Sequence, residues 1–454
     1  MKKFDAIIIG SGQAGTPLAF KLAAENYKVA FIEKNRFGGT CVNDGCTPTK
    51  AYVASARRIW EARNGAGLGI NIPEGATADL KKIKSRKDEI VQESVDRISS
   101  GVEKKENITF FKGEARFTGE KVISVNREEI TAPEIYINTG AGPIVPEPFE
   151  KLDYLTNETI LQLEELPEHL VIVGGSYIGL EFGQMFRRFG SRVTIIEKAS
   201  AIISREDEEI SGIIQNFLEE EGIQFRLNAG CIGGTQNDDK SITLKLDCEE
   251  GSPELTCSHL LLGVGRRPDT GSLNPEAGGI KTDERGYIQV NSQLETNVEG
   301  VFALGDCNGK GAFTHTSYND YEIIADNKFN NKNRKVSDRI MVYNLYIDPP
   351  LGRAGMTGKA ALEKGYNILE AKMPMSRVAR AREKGETNGM MHLIVDADSQ
   401  KILGAAILGV GGDEIVSAVL QIMYADVPYN VLKNSVIAHP TVSELLPTLL
   451  ENLE

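Results

Sequence analysis

The amino-acid sequence predicts an α/β protein, and three observations support that fold class. The chain has 454 residues, enough for about three domains of roughly 150 residues each. Hydrophobic residues make up 41% and charged residues 25%, which is ordinary globular composition. The third observation is a repeat, in which a short apolar run, a glycine-rich turn, a helical stretch, a second apolar run and an acid occur twice in the same order. Strands that alternate with helices predict parallel sheets covered by helices.

The charge and the hydropathy pattern argue against two classes of protein. The formal net charge is −13, which disfavours a nucleic-acid footprint and adhesion to an anionic membrane surface. No run of about 18 apolar residues predicts a membrane span, and the apolar run 6–9 is too short for the core of a signal peptide. We therefore expect a cytoplasmic protein, with neither nucleic acid nor membrane as a partner.

The first copy of the repeat lies at the start of the chain. It runs from the apolar stretch 6–9 to Glu33, which closes a second apolar stretch, 29–32. Its glycines permit a tight turn, let the backbone approach a pyrophosphate at a helix N-terminus and let the helix pack on the strand; they are Gly10, Gly12 and Gly15. Glu33 is placed to accept hydrogen bonds from ribose hydroxyls. The pattern predicts a Rossmann-like dinucleotide-binding unit.

The second copy keeps the same spacing. It begins with the apolar stretch 170–173, carries Gly174 and Gly179 and closes with Glu197. The acid falls the same distance after the last glycine in both copies, since 33 − 15 equals 197 − 179. Ser176 replaces the middle glycine, which strains a close backbone approach without preventing it. We predict a second dinucleotide-binding unit here.

Two such units suggest two different dinucleotides. An electron relay needs one resident and one diffusible cofactor, so we assign FAD to the first unit and a nicotinamide cofactor to the second. Glu197 favours a free ribose 2′-hydroxyl and hence NADH, because a carboxylate there repels the 2′-phosphate of NADPH. Nearby cations would weaken that preference; they are Arg192, Lys198 and Arg205.

Cys41 and Cys46 follow Glu33 by only a few residues, near the strand ends where ligands of open α/β sheets bind. Residues five apart in a regular helix are about 8–9 Å apart, whereas a disulfide needs Cα atoms within about 7 Å. We therefore predict a distorted turn, which Gly45 makes accessible. The alternatives are two structural thiols or half of a zinc site, but no second Cys/His cluster is present. We favour a redox-active pair and predict no metal site.

Several motifs together resemble the class I pyridine nucleotide-disulfide oxidoreductases, and the similarity covers essentially the whole chain. Two runs, Phe313-Thr314-His315-Thr316 and 377–382, favour the mercuric-reductase-like branch, which includes reactive-chlorine-resistance flavoproteins. The motifs are Gly39-Thr40-Cys41 with Cys46-x-Pro48-x-Lys50, Thr139-Gly140-Ala141, 263–268 including Gly265, Ala303-Leu304-Gly305-Asp306, and His439-Pro440-Thr441 with Glu444.

The resemblance implies a domain plan. Residues 1–148 and 266–338 would form the FAD-binding domain, and residues 149–265 the NAD(P)-binding domain. Residues 339–454 would form an α+β dimerisation domain. The expected fold is therefore α/β, with two Rossmann-like domains and a C-terminal domain that makes a homodimer.

The resemblance also implies roles for single residues. Asp306 would bind the ribityl chain of FAD, and Tyr177 would gate the nicotinamide pocket. Cys46 would lie against the flavin and Cys41 would face the substrate. Two pairs would support them, Lys50 with Glu181 near the flavin, and His439 with Glu444 at the Cys41 side of a neighbouring subunit. Gly39, Thr40, Thr139, Gly140 and Gly265 would contact the cofactors.

Departures from the family pattern leave the substrate open. The C-terminal cysteine pair of mercury enzymes and an N-terminal Cys-x-x-Cys domain are both lacking, so we do not expect efficient mercury detoxification. Asp44 stands between the cysteines, where the family usually has an apolar residue. The sequence predicts a disulfide, reactive oxidant or soft metal ion as substrate. The alternatives are dihydrolipoyl dehydrogenase and, in another class, a non-catalytic flavin-binding redox sensor.

The remaining expectations concern structure. The run 52–106 predicts helices interrupted at 65–67 and 73–75. Arg377, Arg380 and Arg382 are placed on a strand, as dimer salt bridges or as a funnel for an anionic oxidant. The other cysteines are predicted to be packing residues; they are Cys231, Cys248, Cys257 and Cys307.

Overall fold

The computed structural model describes residues 1–71, 75–248 and 251–454, so Pro73 and Glu74 of the predicted interruption lie outside the described residues. The chain divides into two compact units. Unit 1 comprises residues 1–51, 84–144 and 264–339. Unit 2 comprises residues 52–83, 145–263 and 340–454. Within the described ranges, no helix is long and apolar enough to cross a membrane.

The elements are labelled in chain order. The helices are α1 (Gly15–Ala24), α2 (Gly39–Asn43), α3 (Cys46–Asn64), α4 (Leu80–Glu103), α5 (Tyr177–Phe189), α6 (Glu208–Glu220), α7 (Thr314–Phe329), α8 (Gly358–Glu363), α9 (Ala379–Glu383), α10 (Gly412–Tyr424), α11 (Asn430–Lys433) and α12 (Leu446–Leu449). The strands are β1 (Lys2–Lys3), β2 (Ala6–Ile9), β3 (Val29–Glu33), β4 (Ile108–Lys112), β5 (Arg116–Gly119), β6 (Val122–Val125), β7 (Glu128–Thr131), β8 (Glu134–Ile137), β9 (Ala141–Pro143), β10 (Tyr154–Leu155), β11 (His169–Val173), β12 (Arg192–Ile196), β13 (Ile223–Arg226), β14 (Ala229–Gln236), β15 (Ile242–Cys248), β16 (Glu254–Cys257), β17 (His259–Leu262), β18 (Arg266–Pro268), β19 (Val301–Ala303), β20 (Val342–Leu345), β21 (Leu351–Gly355), β22 (Ile368–Pro374), β23 (Met390–Asp396) and β24 (Ile402–Leu408).

Unit 1 is built around a parallel sheet with the strand order β19-β8-β2-β3-β4. The central strands β2 and β3 are buried along their whole length, which explains their continuous apolar sequences. Alternate side chains of β2 enter different clusters, with Ile7 on one face and Ile8 on the other. Helix α1 joins the second cluster through Leu18 and Leu22. A smaller sheet, β1-β7-β6-β5, and the β9–β18 ribbon complete the strands.

Unit 2 repeats this plan in its first part. A parallel sheet with the order β10-β17-β11-β12-β13 carries buried strands at its centre. Ile172 and Val171 of β11 again enter different clusters, and α5 contributes Phe182 and Phe186 to the first of these clusters. The antiparallel strands β14-β15-β16 follow. The two predicted Rossmann-like sheets are therefore confirmed.

The last part of unit 2 is an antiparallel sheet, β20-β21-β24-β23-β22. Helix α10 packs on it through Val416 and Val419, and α12 adds Leu446 and Leu449 to the same apolar cluster. This mixture of an antiparallel sheet and helices confirms the predicted α+β domain. One prediction is wrong: the arginines at 377–382 do not lie on a strand, because Arg380 and Arg382 lie in helix α9 and Arg377 ends a short 3₁₀ turn, Met375–Arg377. Arginine and alanine are both good helix formers.

A buried ionic network lies inside unit 2. Arg353 of β21 is fully buried, and its guanidinium donates to Glu206 and Asp207, which lie just before α6. The hydroxyl of Tyr343 also donates to Glu206. Burial lowers the pKa of the neighbouring His392, although Glu370 and Asp207 oppose this shift. Since Arg353 supplies most of the positive charge in this network, the ionised carboxylates of Glu206 and Asp207 depend on it for charge compensation.

Replacing Arg353 with Met should destabilise unit 2 by about 3–5 kcal/mol, because it removes the positive charge that compensates the carboxylates of Glu206 and Asp207. The loss should shrink as the pH falls, since protonation removes the uncompensated charge. The measurement is urea unfolding at pH 7 and pH 5. Lys372→Met is the matched control; Lys372 pairs with Glu209 at 2.8 Å on the exposed surface, so its loss should cost about 0–1 kcal/mol. Equal losses in both variants would contradict this assignment.

Candidate active site

The two glycine turns have the same local geometry. Gly10 and Gly174 have φ angles of +99° and +115°, in the region that favours glycine. A Cβ on Gly10 would lie 2.2 Å from the carbonyl oxygen of Asn138, and one on Gly174 would lie 2.5 Å from that of Gly263. Each turn therefore presses its backbone against the end of a neighbouring strand, and no side chain fits there.

Both helices that follow the turns also need a glycine. A Cβ on Gly15 would lie 2.0 Å from the carbonyl oxygen of Gly10, and one on Gly179 would lie 2.0 Å from that of Gly174. In unit 1 the middle glycine, Gly12, is equally restricted, because its Cβ would lie 2.7 Å from Oδ1 of Asn138. These contacts give the helix-on-strand packing that the spacing predicts.

The closing acids brace these turns in the same way. Glu33 accepts from the N–H of Ser11 at 2.9 Å and from its hydroxyl at 2.7 Å, and from the N–H of Asn35 at 2.7 Å. Glu197 accepts from the N–H groups of Gly175 at 2.7 Å and Ala199 at 2.9 Å. An ionised carboxylate offers about four lone-pair positions. Both acids therefore keep acceptor capacity for a ribose.

Asn138 was not identified from the sequence, although it organises the first turn. Its buried side chain accepts from the N–H of Gly15 at 3.0 Å and donates to the carbonyl of Leu304 at 2.8 Å. The available signal was its position, directly after β8 and before the Thr139-Gly140 motif. Gly140 has φ +75°, so the chain turns sharply there.

The cysteine segment packs directly on the first glycine turn. Gly39 has φ +61°, and a Cβ on it would lie 2.9 Å from the Cα of Gly12. Ser11 accepts from the N–H of Gly38 at 3.1 Å. Beside Gly39 and Thr40, Oδ1 of Asn43 is buried without a hydrogen-bond partner among the described residues. This backbone cradle, with an unused acceptor, fits a bound dinucleotide of the FAD type.

The predicted distortion lies between the two cysteines. Helix α2 ends at Asn43 and α3 begins at Cys46. A Cβ on Gly45 would lie 2.9 Å from the carbonyl oxygen of Thr40 and 3.3 Å from the Cα of Cys41. Glycine therefore permits the close approach that a regular helix would prevent.

The two thiols interact with each other, and neither forms a disulfide in this structure. A hydrogen bond to Cys46 and burial raise the pKa of Cys41 well above its ordinary value, while Thr314 opposes the shift. Cys46 is exposed, and its Sγ lies 3.1 Å from Oγ1 of Thr314. No role was predicted for Thr314, because no repeat or spacing links it to the cysteines.

Asp306 sits in a short turn braced from α7. Burial raises its pKa, and Arg266 opposes this shift. The buried carboxylate of Asp320 fixes the turn by accepting from the N–H of Gly305 at 2.6 Å and from the amide of Asn308 at 3.0 Å. Gly265, which precedes Arg266, has φ +127° and belongs to unit 1.

Unit 2 holds the other predicted site residues. Tyr177 is the first residue of α5, and Glu181 accepts from the N–H of Tyr346 at 2.9 Å. Nδ1 of His439 lies 2.8 Å from Oε2 of Glu444, and 76% of the histidine side chain is exposed. Lys50 belongs to unit 1, and its pairing with Glu181 stays a prediction.

Arg192 does not lie near Glu197. Its guanidinium is 2.8 Å from Nδ1 of His169, at the start of β12, whereas Glu197 follows the end of this five-residue strand. The strand spans about 16 Å at roughly 3.3 Å per residue. The prediction that Arg192 softens the cofactor preference is therefore wrong.

Burial raises the pKa of three of the other cysteines. Burial raises the pKa of Cys231 to about 11 and that of Cys257 to about 12. Burial also raises the pKa of Cys307 to about 12. These thiols stay protonated near neutral pH, and only a thiolate is a strong nucleophile. Among the described residues, no group of three or more His, Cys, Asp or Glu side chains could hold a metal ion.

Two turns of the dinucleotide-binding type, with a close cysteine pair packed on the first of them, define a flavin-dependent disulfide oxidoreductase. Comparison with known proteins identifies the family. Residues 4–320 match the pyridine nucleotide-disulphide oxidoreductases and residues 342–450 match their dimerisation domain. The chain belongs to this FAD- and pyridine nucleotide-dependent family, and it is a flavoprotein disulfide reductase of the RclA and mercuric reductase type.

Its relatives include several activities. RclA of Escherichia coli (strain K12), a probable pyridine nucleotide-disulfide oxidoreductase, is 35% identical over 99% of both chains. A mercuric reductase of Staphylococcus aureus is 32% identical over 93% of this chain and 77% of its own. The Cu(II) complex of the HOCl-induced flavoprotein disulfide reductase RclA from Escherichia coli matches with a TM-score of 0.90 and 35% identity, over 99% of this chain and 100% of that chain. Dihydrolipoyl dehydrogenases, such as that of Thermus scotoductus, are also relatives.

Replacing Gly45 with Ala should make the Cys41–Cys46 disulfide about tenfold less favourable. The new methyl group would collide with Thr40 and Cys41 and push the start of α3 away from Cys41, and overpacking of this kind costs about 1–3 kcal/mol. The measurement is the thiol–disulfide equilibrium in a glutathione buffer. Gly67→Ala is the control, since nothing lies within 4 Å of its Cβ position. An unchanged equilibrium for Gly45→Ala would show that the close approach is unnecessary.

Proposed function

We propose that this chain is an NAD(P)H-dependent, FAD-containing reductase that passes electrons through Cys41 and Cys46 to a disulfide, reactive oxidant or soft metal ion. The observation that carries the proposal is the contact between the two thiols at the break between α2 and α3, directly beside the first glycine turn. Bound FAD would take up hydride from the nicotinamide and supply two electrons to the cysteine pair.

The chain's own residues divide the work of binding. The first glycine turn, at Gly10, would hold FAD and the second, at Gly174, would hold the nicotinamide cofactor. Glu197 would favour NADH. The FAD residues are Gly10, Gly12, Gly15, Glu33, Gly39, Thr40, Thr139, Gly140 and Asp306, with Lys50 near the reactive ring. The nicotinamide residues are Gly174, Tyr177, Gly179 and Glu197, and Glu181 and Gly265 are further proposed cofactor contacts. Supporting evidence is the matching pair of braced turns, with Glu33 and Glu197 in equivalent positions.

The two thiols take different roles. Two electrons and one proton convert a disulfide into one thiol and one thiolate. Cys46 would keep the negative charge, and Cys41 would attack the substrate after losing its proton. His439 is the proposed proton acceptor, because imidazole titrates near neutral pH, and Glu444 would orient its ring. In a homodimer built by the dimerisation domain, His439 would serve the neighbouring subunit's Cys41.

The substrate class follows from thiolate chemistry and from the relatives. Thiolates are soft ligands that select ions such as Cu(I), and a thiolate also attacks disulfides and electrophilic oxidants. A relative is described as HOCl-induced and was solved as a Cu(II) complex, and others are mercuric reductases. We therefore favour Cu(II) or a reactive chlorine product over lipoamide. The second candidate, dihydrolipoyl dehydrogenase, is favoured by relatives of similar identity.

Replacing Cys46 with Ser should leave FAD bound and leave its reduction by NADH intact, while lowering substrate turnover at least a hundredfold. The reason is that a single thiol cannot accept two electrons as a disulfide. NADH oxidation is followed with lipoamide, glutathione disulfide, hypothiocyanite, Cu(II) and Hg(II) as oxidants. Cys231→Ser is the matched control and should keep full turnover.

The same panel separates the alternatives. Unchanged turnover in the Cys46→Ser variant would refute the relay. Fast NAD-dependent oxidation of dihydrolipoamide by the wild-type protein would favour dihydrolipoyl dehydrogenase. Bound FAD without turnover of any oxidant would favour a redox sensor.

Replacing Glu197 with Gln should lower the NADH-to-NADPH ratio of kcat/KM about tenfold, which corresponds to about 1.4 kcal/mol. Removing the negative charge relieves repulsion of a 2′-phosphate, and the change should fall mainly on KM for NADPH. Steady-state kinetics with both cofactors measure it. A variant that loses activity with both cofactors equally would mean that Glu197 only braces the turn at Gly175.

A further inference from the structure

Thr314 joins the cysteine pair to a long helix. It is the first residue of α7, a helix of 16 residues in unit 1, and its Oγ1 lies 3.1 Å from Sγ of Cys46. The first N–H groups of a helix have no partner within the helix, and its dipole favours negative charge nearby. The hydroxyl therefore meets Cys46 on the side where a negative charge is best tolerated.

The protonation state of Cys46 decides which atom donates in its contact with Thr314. Either atom can be the donor while Cys46 is a thiol, but a thiolate has no proton to give. Once Cys46 ionises, the Thr314 hydroxyl must donate to its sulfur. A hydrogen bond to an ionised acceptor is also stronger than one between neutral groups.

The surroundings of Cys41 indicate which sulfur carries the one proton of the reduced pair. Cys41 is partly buried whereas Cys46 is exposed, and the hydrogen bond to Cys46 and burial raise the pKa of Cys41, so we place the proton on Cys41. Its S–H then donates to Cys46, which receives two hydrogen bonds, one from Cys41 and one from Thr314. Thr314 is within hydrogen-bonding reach of Cys41 as well, but its single proton serves one sulfur at a time.

We propose that Thr314 is a positioning residue whose hydroxyl donates to Cys46 and holds the negative charge of the reduced pair there, leaving the proton on Cys41. The inference rests on the proposed function, in which the reduced pair carries one proton and one negative charge. Without the hydroxyl, the charge moves toward Cys41. The negative charge is then shared between both sulfurs. Cys41, the thiol that meets the substrate, is therefore partly ionised before a base removes its proton.

The experiment measures where the charge lies. Holoenzyme is reduced with dithiothreitol and treated briefly with iodoacetamide between pH 6 and 9, and fragment-ion mass spectrometry gives the alkylation of Cys41 and Cys46. In Thr314→Val, the Cys41-to-Cys46 alkylation ratio at pH 7 should rise about tenfold, equivalent to a change of about one pKa unit. Thr314→Ser keeps the hydroxyl and should stay within about twofold of wild type.

Thr314→Ala tests the same point without the bulk of valine, and retained FAD absorbance checks that each variant is folded. A ratio unchanged in both hydroxyl-free variants would overturn the proposal, as would an equal change in Thr314→Ser. Because the assay uses no nucleotide and no oxidant, it gives a result independently of the relay. Loss of turnover in Cys46→Ser together with an unchanged ratio in Thr314→Val would remove this inference and leave the proposed function standing.

Discussion

The hydroxyl of Ser11 links the parts on which the site depends. It donates to Glu33 at 2.7 Å and accepts from the N–H of Gly38 at 3.1 Å. Through these two bonds the acid that closes the first strand–helix–strand unit, the glycine turn and the start of the cysteine segment become one hydrogen-bonded group. Hydrogen bonds of this kind are directional, and buried donors and acceptors are costly to leave unpaired. The position of the cysteines is therefore fixed by the same contacts that shape the dinucleotide turn.

The second glycine turn has a similar geometry but lacks this hydroxyl link. Gly175 stands where the first unit has Ser11, so Glu197 receives only backbone N–H groups there and at Ala199. Glu33 receives a hydroxyl in addition. A turn braced by more contacts is better suited to a resident cofactor, and a carboxylate with more unused lone pairs is better suited to ribose hydroxyls that come and go. The difference between the two turns thus matches the division of labour proposed for FAD and the nicotinamide.

The sequence was informative where chemistry is local. Gly10, Gly15 and Gly45 stand at fixed spacings because backbone contacts leave no room for a Cβ, so both the sheets and the break between the cysteines could be predicted. Asn138 and Thr314 could not, since their partners lie 123 and 268 residues away along the chain.

Spacing was also misleading in places. Arg192 is close to Glu197 in sequence but lies at the opposite end of the same strand, because an extended chain carries neighbours in sequence far apart. The arginines at 377–382 were assigned to a strand, although the local helix propensity of Ala379–Glu383 prevails. The predicted domain boundaries, 148 and 266 among them, rest on the resemblance and stay predictions.

The burial of Cys41 is linked to the need for a base that removes its proton. The hydrogen bond to Cys46 and burial raise the pKa of Cys41, which lowers the fraction of Cys41 present as the nucleophilic thiolate. An accessible imidazole fixed by a carboxylate, as in His439 with Glu444, is the kind of group that removes such a proton on demand. A pair in which both sulfurs ionised easily would need no base and would react with any electrophile in its surroundings. Under the proposed mechanism, holding the charge on one sulfur and the proton on the other would make the reaction conditional on a base such as His439, and reactivity would then depend on assembly of the proposed dimer.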